Sequence, residues 1–445
     1  MTIKVRFAPS PTGNLHVGNA RTALINYLFC KFHDGKFLLR IDDTDTERSK
    51  NEFVESIKSD LRWLGINWDD LKNQSSRIKE YNEAIEKLEK LGRAYRCYET
   101  QEELSLKRKS QLMSGKPPIY DRSALKLTKE DHVKYEKSGK KPHWRFFLIH
   151  NEVIWDDIVR GKSSYHMSAL SDPVLMREDG RPIYTLSSVV DDIEYNISHI
   201  IRGEDHVTNS AAQIQLFEAL GAIPPKLGHL SLLSGSEGEG LSKRFGSLTL
   251  SSIREKHIIP LALLSLLSRL GSADAIVPQN SFNAILQSFN IKKFGRNTAK
   301  FDMTELKNMN QKIIQNLEFD EVENELLDLG FDCNEAFWNM IRGNIQTFED
   351  IKIWQKVIYD QINPIIADKH LMQIAIQFFP KDNLSNDTWG IWTKKIMENS
   401  EFSGKSLFLP LRKAITGLDY GPELKFLLPL LGREKILSRL EGKNS

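Results

Sequence analysis

Cysteine is scarce. The 445 residues hold three, Cys30, Cys97 and Cys333, and no two of them form a C-x-x-C pair. Three isolated thiols support neither a disulfide framework nor a cysteine-rich zinc site. No apolar run approaches the ~20 residues that span a bilayer, so no membrane partner is expected. The opening MTIKVRFAPS has no apolar core of the kind that directs secretion, which leaves a cytoplasmic protein as the expectation. No internal repeat and no low-complexity tract is present. What remains is ordinary soluble composition, 40% hydrophobic and 27% charged, on a chain too long for one core. Two to four domains are expected.

Net charge is only +2, but it is unevenly spread. Between Lys107 and Arg145 stand twelve Lys or Arg against four acids, and between Lys243 and Lys312 eleven against four. Two basic stretches on a nearly neutral chain point to an extended polyanion; solvated lysine-rich helix faces would give the same count.

IKVRFA at 3–8 has strand composition, a breaker-free run follows Asn19, and KFLLRI at 36–41 reads as a second strand. Strand, turn, helix, strand is the start of a parallel α/β sheet. Amphipathic helices are expected near 51–64 and 77–92. The basic stretch 93–150, with turn signals GKPP and GKKP, reads as an insertion. Sheet-like sequence returns in DPVLMRE, PIYTLSSVVDD and ISHIIRGEDH, between 172 and 206. After Leu241 the chain reads as helical, with breaks near Pro278, Gly330, Pro364 and Pro380.

The chemistry concentrates first in RFAPSPTGNLHVGNARTAL, residues 6–24. A strand ends, a Pro/Gly turn follows, and a helix is expected to begin near Gly18 and Asn19. Free N–H groups at a helix N-terminus suit phosphate, a glycine such as Gly18 lets a nucleotide approach the backbone, and His16 can donate to phosphate oxygens. A rigid turn with a surface histidine would explain the short pattern equally well. Further on, Lys243 sits in GLSKR after Gly235, Gly238 and Gly240. A mobile loop with a lysine can close over a triphosphate and neutralise the leaving pyrophosphate.

These stretches, with RIDDTD at 40–45, YDRSALKL, WDDIVRGK, the run from DPVLMREDGRPIYTL to HIIRGEDH, and SLLSGSEGEGLSKRFG at 231–246, resemble the glutamyl-tRNA synthetase family of class I aminoacyl-tRNA synthetases. The first stretch resembles the family's HIGH motif and the last falls where its KMSKS signature belongs. The resemblance implies an α/β, Rossmann-like catalytic domain at 1–90 and 185–238 and an inserted acceptor-end-binding domain at 91–184. A helical stem-contact region at 239–320 and an all-helical anticodon-binding domain at 321–445 would follow. It implies ATP as substrate with Mg2+, L-glutamate and tRNA as partners, tRNA binding before glutamate is activated, and a monomer. His16, Gly18 and Lys243 would be catalytic. ATP would be held by Pro9, His16, Gly18, Asn19, Ser242, Lys243 and Arg244, and glutamate by Arg6, Ser10, Asp42, Tyr184 and Arg202. Arg6 and Arg202 can each take a carboxylate in a bidentate pair, Asp42 can hold the ammonium, and Tyr184 can hydrogen-bond the side-chain carboxylate. Taken singly, Arg202 reads as a partner in an internal salt bridge, with Asp43 or Glu204 as candidates. Arg6, at a strand end beside the turn, reads as the ligand group.

Two positions depart from the family. Gly240 replaces the first lysine of KMSKS, and Asp42 stands where glutamate is usual, one methylene longer. Some members hold zinc with paired cysteines in the insertion; here Cys97 is followed by Glu99 and no second pair occurs near Tyr120, so no zinc is expected. RGKSS at 160–164 is not a P-loop, because Asp156 occupies the required glycine position. Trp338, Trp354, Trp389 and Trp392 could stack on unpaired bases, but most are expected in the core. Competing assignments are a glutaminyl-tRNA synthetase, which carries β-barrel anticodon domains, and a tRNA-modifying transferase without an anticodon domain. A non-catalytic tRNA-binding protein descended from a synthetase would be supported by Gly240 and Asp42 alone.

Overall fold

The computed structural model describes residues 2–235 and 248–445. It separates into two compact units, Met1–Ile253 with Leu264–Asp302, and Arg254–Leu263 with Met303–Ser445.

The first unit is built on the expected elements. Strand β1 (Lys4–Phe7) leads through the Pro/Gly turn to helix α1 (Val17–Phe32), which returns to strand β2 (Lys36–Ile41). α1 is buried on nearly every side, as its apolar run requires. β1 and β2 are parallel, with Arg6 opposite Leu38, and β2 continues to parallel β3 (Asp70–Asn73). On the other flank of β1 runs His199–Gly203, tied to it by the Ser198 N–H on the Lys4 carbonyl at 2.9 Å and itself parallel to Lys226–Leu230. The chain thus moves outward from β1 to β3, then returns and builds in the opposite direction. Such a reversal opens a crevice at the carboxyl ends of the strands, where a ligand can enter. Arg6, Asp42 and Arg202 all lie at or just beyond those ends.

Helix 51–63 lies between β2 and β3 and helix 78–90 follows β3, both close to expectation, and antiparallel structure comes next. Ala94–Cys97, His143–Phe146 and Val174–Met176 form one sheet; Glu152–Asp157 and Gly161–His166 form a hairpin. Gly161, in RGKSS, is a turn residue at φ +71°, a conformation that favours glycine. Helices Gln101–Met113 and Lys129–Lys137 bury no residue fully.

One expected strand is a helix. PIYTLSSVVDD lies largely within helix Tyr184–Glu194. Leu186, Val189, Val190 and Ile193 recur at helical spacing and face the core, while Tyr184, Ser187, Ser188, Asp191 and Asp192 form the opposite stripe. β-branched composition pointed to a strand, and packing on both faces overrides it.

The second unit is helical throughout its described length, and its helices break around Gly330, Pro364 and Pro380 as expected. Trp338, Trp354 and Trp392 are its largest buried side chains; the indole N–H groups of Trp338 and Trp392 donate to the carbonyls of Leu317 and Ala375. Trp389 is half-buried, edge-on to Trp392. Gly421, at φ +125°, is packed so closely on Trp354 that a Cβ would lie 1.9 Å from its ring. Only glycine fits there.

Candidate active site

His16 is the N-cap of α1. Its Nδ1 accepts the N–H of Gly18 at 3.0 Å and of Asn19 at 3.3 Å, while Asn19 Oδ1 accepts the His16 N–H. Nδ1 therefore carries no proton, and the hydrogen of the neutral ring sits on Nε2, available to donate. Burial lowers the pKa of His16, which favours that neutral form. The Val17 N–H is taken by the Leu248 carbonyl. This corrects one expectation. The first N–H groups of α1 are engaged by its own cap and by the returning chain, so the helix end offers a histidine Nε2–H in place of bare backbone donors. Pro9 is buried, with its carbonyl accepting the Asp42 N–H at 3.0 Å.

Ser242, Lys243 and Arg244, with Gly238 and Gly240, lie outside the described residues. On one side of that stretch Leu233–Ser234 pairs with Ala299–Lys300; on the other, Leu248 and Leu250 bond to residues 15–17. The described chain thus resumes at Leu248, bonded to the histidine turn.

Around the strand ends sits a buried charge cluster that sequence reasoning largely missed. Arg6 pairs with Asp192 at 3.2 Å. Arg40 grips Asp42 with two bonds, 2.7 and 3.1 Å, and reaches Asp192 at 2.9 Å and Ser188 at 3.0 Å. Asp191 accepts from Gln74, Arg77 and Tyr81. Burial pushes the Asp42 carboxyl up to about 6, against the pull of Arg40 and Arg6. Two signals were readable: Arg40 and Asp42 are two apart on a strand, hence on one side, and the helical stripe carrying Asp191 and Asp192 begins at Tyr184.

The two arginines expected to hold substrate have partners the reverse of those read singly. Arg6 is in an internal ion pair, with Asp192. Arg202 makes no ion pair among the described residues: it donates to the Tyr184 hydroxyl at 2.5 Å, Ser210 Oγ at 2.6 Å and Gln213 Oε1 at 2.7 Å, and its Nε has no partner among them. Asp43 is occupied by Asn73 and Ser75, and Glu204 by Arg160. Because the Tyr184 oxygen accepts from Arg202, its own hydrogen is free to donate. Ser10, Asp42 and Tyr184 line one cavity of about 350 Å³, with Arg48, Arg177 and Arg181 around it. Arg202 is one hydrogen bond away through Tyr184, and Arg6 is joined to Asp42 through Asp192 and Arg40.

In the first basic stretch, Lys107, Arg122 and Arg145 are internal: Lys107 pairs with Glu99 and Asp121, Arg122 with Asp172, and Arg145 bonds the Asp172 carbonyl. The other nine bases are exposed. In the second, Arg269 and Lys293 share Asp274. The fold also brings His143 beside Cys97 and Glu99, with ligand atoms within 4.8 Å of one another, a convergence invisible in sequence. Glu99 already accepts from Tyr120 at 2.8 Å, Ser123 at 2.8 Å and Lys107 at 3.2 Å. Burial pushes the Cys97 thiol up to about 12.

Comparison with known proteins agrees with this geometry. Residues 2–311 match the family of class I tRNA synthetase catalytic domains (E and Q), and 335–443 match an anticodon binding domain. Glutamate–tRNA ligase 1 of Maricaulis maris is 48% identical over 441 residues, 99% of each chain. Glutamate–tRNA ligase 1 of Parvibaculum lavamentivorans is 47% identical over 440 residues, 98% of each. A crystal structure of a glutamate tRNA ligase from Elizabethkingia meningosepticum in complex with its amino acid superposes with a TM-score of 0.87 at 27% identity, covering 99% of both chains. No described helix is long and apolar enough to cross a membrane. A parallel sheet that reverses direction at its ligand crevice, a capped histidine turn and a helical anticodon-binding unit thus coincide with whole-length similarity, and the chain belongs to the glutamate–tRNA ligase family of class I tRNA synthetases.

Proposed function

We propose that this chain activates glutamate with ATP and esterifies it to the 3′ end of glutamate tRNA, and that the crevice at the carboxyl ends of the sheet is where both steps occur. The observation that carries the reading is Arg202. It is a buried guanidinium that pairs with no carboxylate among the described residues, and it donates to Tyr184, which keeps its own hydroxyl hydrogen to give and lines the same cavity as Asp42. A glutamate there has a cation and a phenol for a carboxylate and an anion for its ammonium. Arg6, through Asp192 and Arg40, holds Asp42 in place, and Ser10 lies at the cavity's rim.

In the first step an oxygen of the α-carboxylate attacks the α-phosphorus, the bond to the β-phosphate breaks, and pyrophosphate leaves. ATP rests on the turn from Pro9 to Asn19, His16 Nε2–H donating to the phosphates beside Gly18. Ser242, Lys243 and Arg244 supply hydrogen bonds and charge to the leaving group, and magnesium enters on the triphosphate as part of the substrate. In the second step the ribose 2′-hydroxyl of the tRNA attacks the acyl carbon and AMP departs. No side chain serves as a covalent nucleophile; positioning and charge stabilisation supply the rate.

The chain divides, on this reading, into catalytic residues 1–90 and 185–238, an acceptor-end insertion 91–184 whose exposed bases meet phosphate, a stem-contact region 239–320 and an anticodon-binding part 321–445. It works as a cytoplasmic monomer, with light scattering as the check on oligomeric state and fractionation on location. Cys97, Glu99 and His143 do not suit zinc. The carboxylate is filled by three donors, and a structural site takes four ligands where only three converge among the described residues; one zinc per chain in metal analysis of the purified protein would reverse this.

The test is ATP–pyrophosphate exchange with glutamate, with and without tRNA, followed by aminoacylation of purified glutamate and glutamine tRNAs. Glutamate-specific exchange that appears only with tRNA is expected. A folded protein that binds tRNA and shows no exchange would instead be a non-catalytic tRNA-binding descendant.

A further inference from the structure

Behind Arg202 runs a line of buried polar groups that neither reaction step uses. Ser210 Oγ, which accepts from Arg202, lies 2.7 Å from His229 Nε2, and His229 Nδ1 lies 2.5 Å from Asp157 Oδ2. The three residues come from three elements: helix Val207–Ala219, strand Lys226–Leu230 and strand Glu152–Asp157. Serine, histidine and aspartate in this order invite comparison with a hydrolytic triad. Here, however, Ser210 and His229 have no exposed surface, and the serine oxygen is capped by a guanidinium. A nucleophile needs access to its substrate, and this one has none.

We propose that Asp157, His229 and Ser210 are positioning residues that fix the direction of the Ser210 hydroxyl, and through it aim Arg202 at a substrate carboxylate. The polarity can be followed atom by atom. Asp157 Oδ1 is held by the backbone N–H groups of Val159, Arg160 and His229, at 2.9 to 3.1 Å. Oδ2 therefore faces His229, with a long donation from Trp155 Nε1 at 3.4 Å beside it. A carboxylate only accepts, so the imidazole must present Nδ1–H to it. Burial keeps the ring below its ordinary pKa against the pull of Asp157, so Nε2 bears a lone pair. The Ser210 hydrogen goes to that lone pair at 2.7 Å in preference to the His206 carbonyl at 3.1 Å. The serine's own lone pairs are left for Arg202 Nη2. With the opposite tautomer, Nε2–H would take a serine lone pair and turn the hydroxyl hydrogen away, toward His206 or the guanidinium.

The inference rests on the reading that Arg202 binds glutamate, and the experiment separates the two. In the full chain, Asp157→Asn keeps the atom that holds the three backbone donors and puts an amide NH2 where an acceptor faced His229. Ser210→Ala removes the acceptor alone, and Arg202→Ala is the reference. Losing one hydrogen bond to a charged group should raise the KM for glutamate ~10-fold in each of the first two variants, with kcat and the KM for ATP little changed. ¹⁵N spectra of labelled histidine should show His229 as the Nδ1–H tautomer in the unaltered chain and as Nε2–H in Asp157→Asn. Should Asp157→Asn not fold, the tautomer of the unaltered chain and Ser210→Ala decide. An Nε2–H tautomer there, or an unchanged KM in Ser210→Ala where Arg202→Ala raises it, overturns the relay alone. An unchanged KM in Arg202→Ala overturns the reading of Arg202 and the relay with it.

Discussion

Each unit buries an arginine that pairs with no Asp or Glu among the described residues. In the helical unit Arg439, with no exposed surface, sends Nε to the main-chain oxygen of the last residue, Ser445, and Nη1 and Nη2 to the carbonyls of Ile415 and Val357, all at 2.8 Å. Those two carbonyls close the helices Ile351–Tyr359 and Gly404–Thr416, whose C-terminal dipoles favour a cation. Burial lowers its pKa to about 10, still charged at neutral pH. In the sheet unit Arg202 is also buried, yet its partners are a tyrosine, a serine and a glutamine, and one donor has none among the described residues. Main-chain oxygens that engage all three nitrogens of a guanidinium make it a clamp. Side-chain partners beside a cavity, with capacity to spare, leave room for an anion that arrives later. Arg6 and Arg40 are a third kind, neutralised by Asp192 and Asp42 and serving to hold the carboxylate that faces the cavity.

The widest test of this contrast exchanges the consequences. Arg202→Ala should lower kcat/KM for glutamate on the order of 10³-fold, the cost of stranding a buried charge partner, while the urea midpoint stays near the original. Arg439→Leu should do the reverse. It orphans two buried carbonyls and the main-chain oxygen of Ser445 and should remove about 3 kcal/mol of stability, with glutamate activation near normal in the protein that remains folded. Equal losses of activity in the two variants would erase the distinction.

How much of this was legible beforehand depended on range. β1, α1 and β2 were readable because their patterns are local and the breakers between them are explicit. The helix at 184–194 was misread although Leu186, Val189, Val190 and Ile193 carry its period, because β-branched composition was weighed above spacing. Arg6 and Arg202 were both expected to hold substrate, and which of them sits in an internal ion pair was read the wrong way round. Their difference lies in partners 186 and 8 to 18 residues away, Asp192 for one and Tyr184, Ser210 and Gln213 for the other, and no single-residue pattern encodes those contacts. The same holds for His143 beside Cys97.

On the proposed reading, Lys243 serves the opposite end of the substrate pair. Lys243→Ala should lower pyrophosphate exchange ~10²-fold, as loss of one charge-stabilising group does, with tRNA affinity kept because phosphate contacts are spread over many bases. Near-normal exchange would leave Arg244 or another group as the loop's cation. Asp42→Ala comes next. Removing one partner of a buried charge pair should cut kcat/KM for glutamate ~30-fold, with the KM for ATP little changed. A loss below about threefold would place the substrate ammonium elsewhere, since that is well under the same truncation cost.

The smallest effect needs no mutation. Burial raises the Asp42 carboxyl to about 6 even though Arg40 holds it with two bonds. If the ionised form holds the ammonium, the KM for glutamate should rise as pH falls through that value, by roughly tenfold between pH 7 and 5 for a one-proton titration. The neighbouring histidines do not compete: burial lowers His206, which packs on Tyr184 at 5.3 Å, to about 4, and lowers His16 and His229 as well. Glutamate's own side chain, near 4.3 in water, stays ionised over most of that range. Nor is the loss one of folding. A carboxyl whose folded pKa lies above its unfolded 3.8 binds more protons folded than unfolded between the two values, so its contribution to stability grows as pH falls. Steady-state charging at varied glutamate from pH 7.5 to 5 gives the profile, and Asp42→Asn, which cannot titrate, should flatten it. A profile that is unchanged in Asp42→Asn would assign the dependence to another group and detach Asp42 from the ammonium.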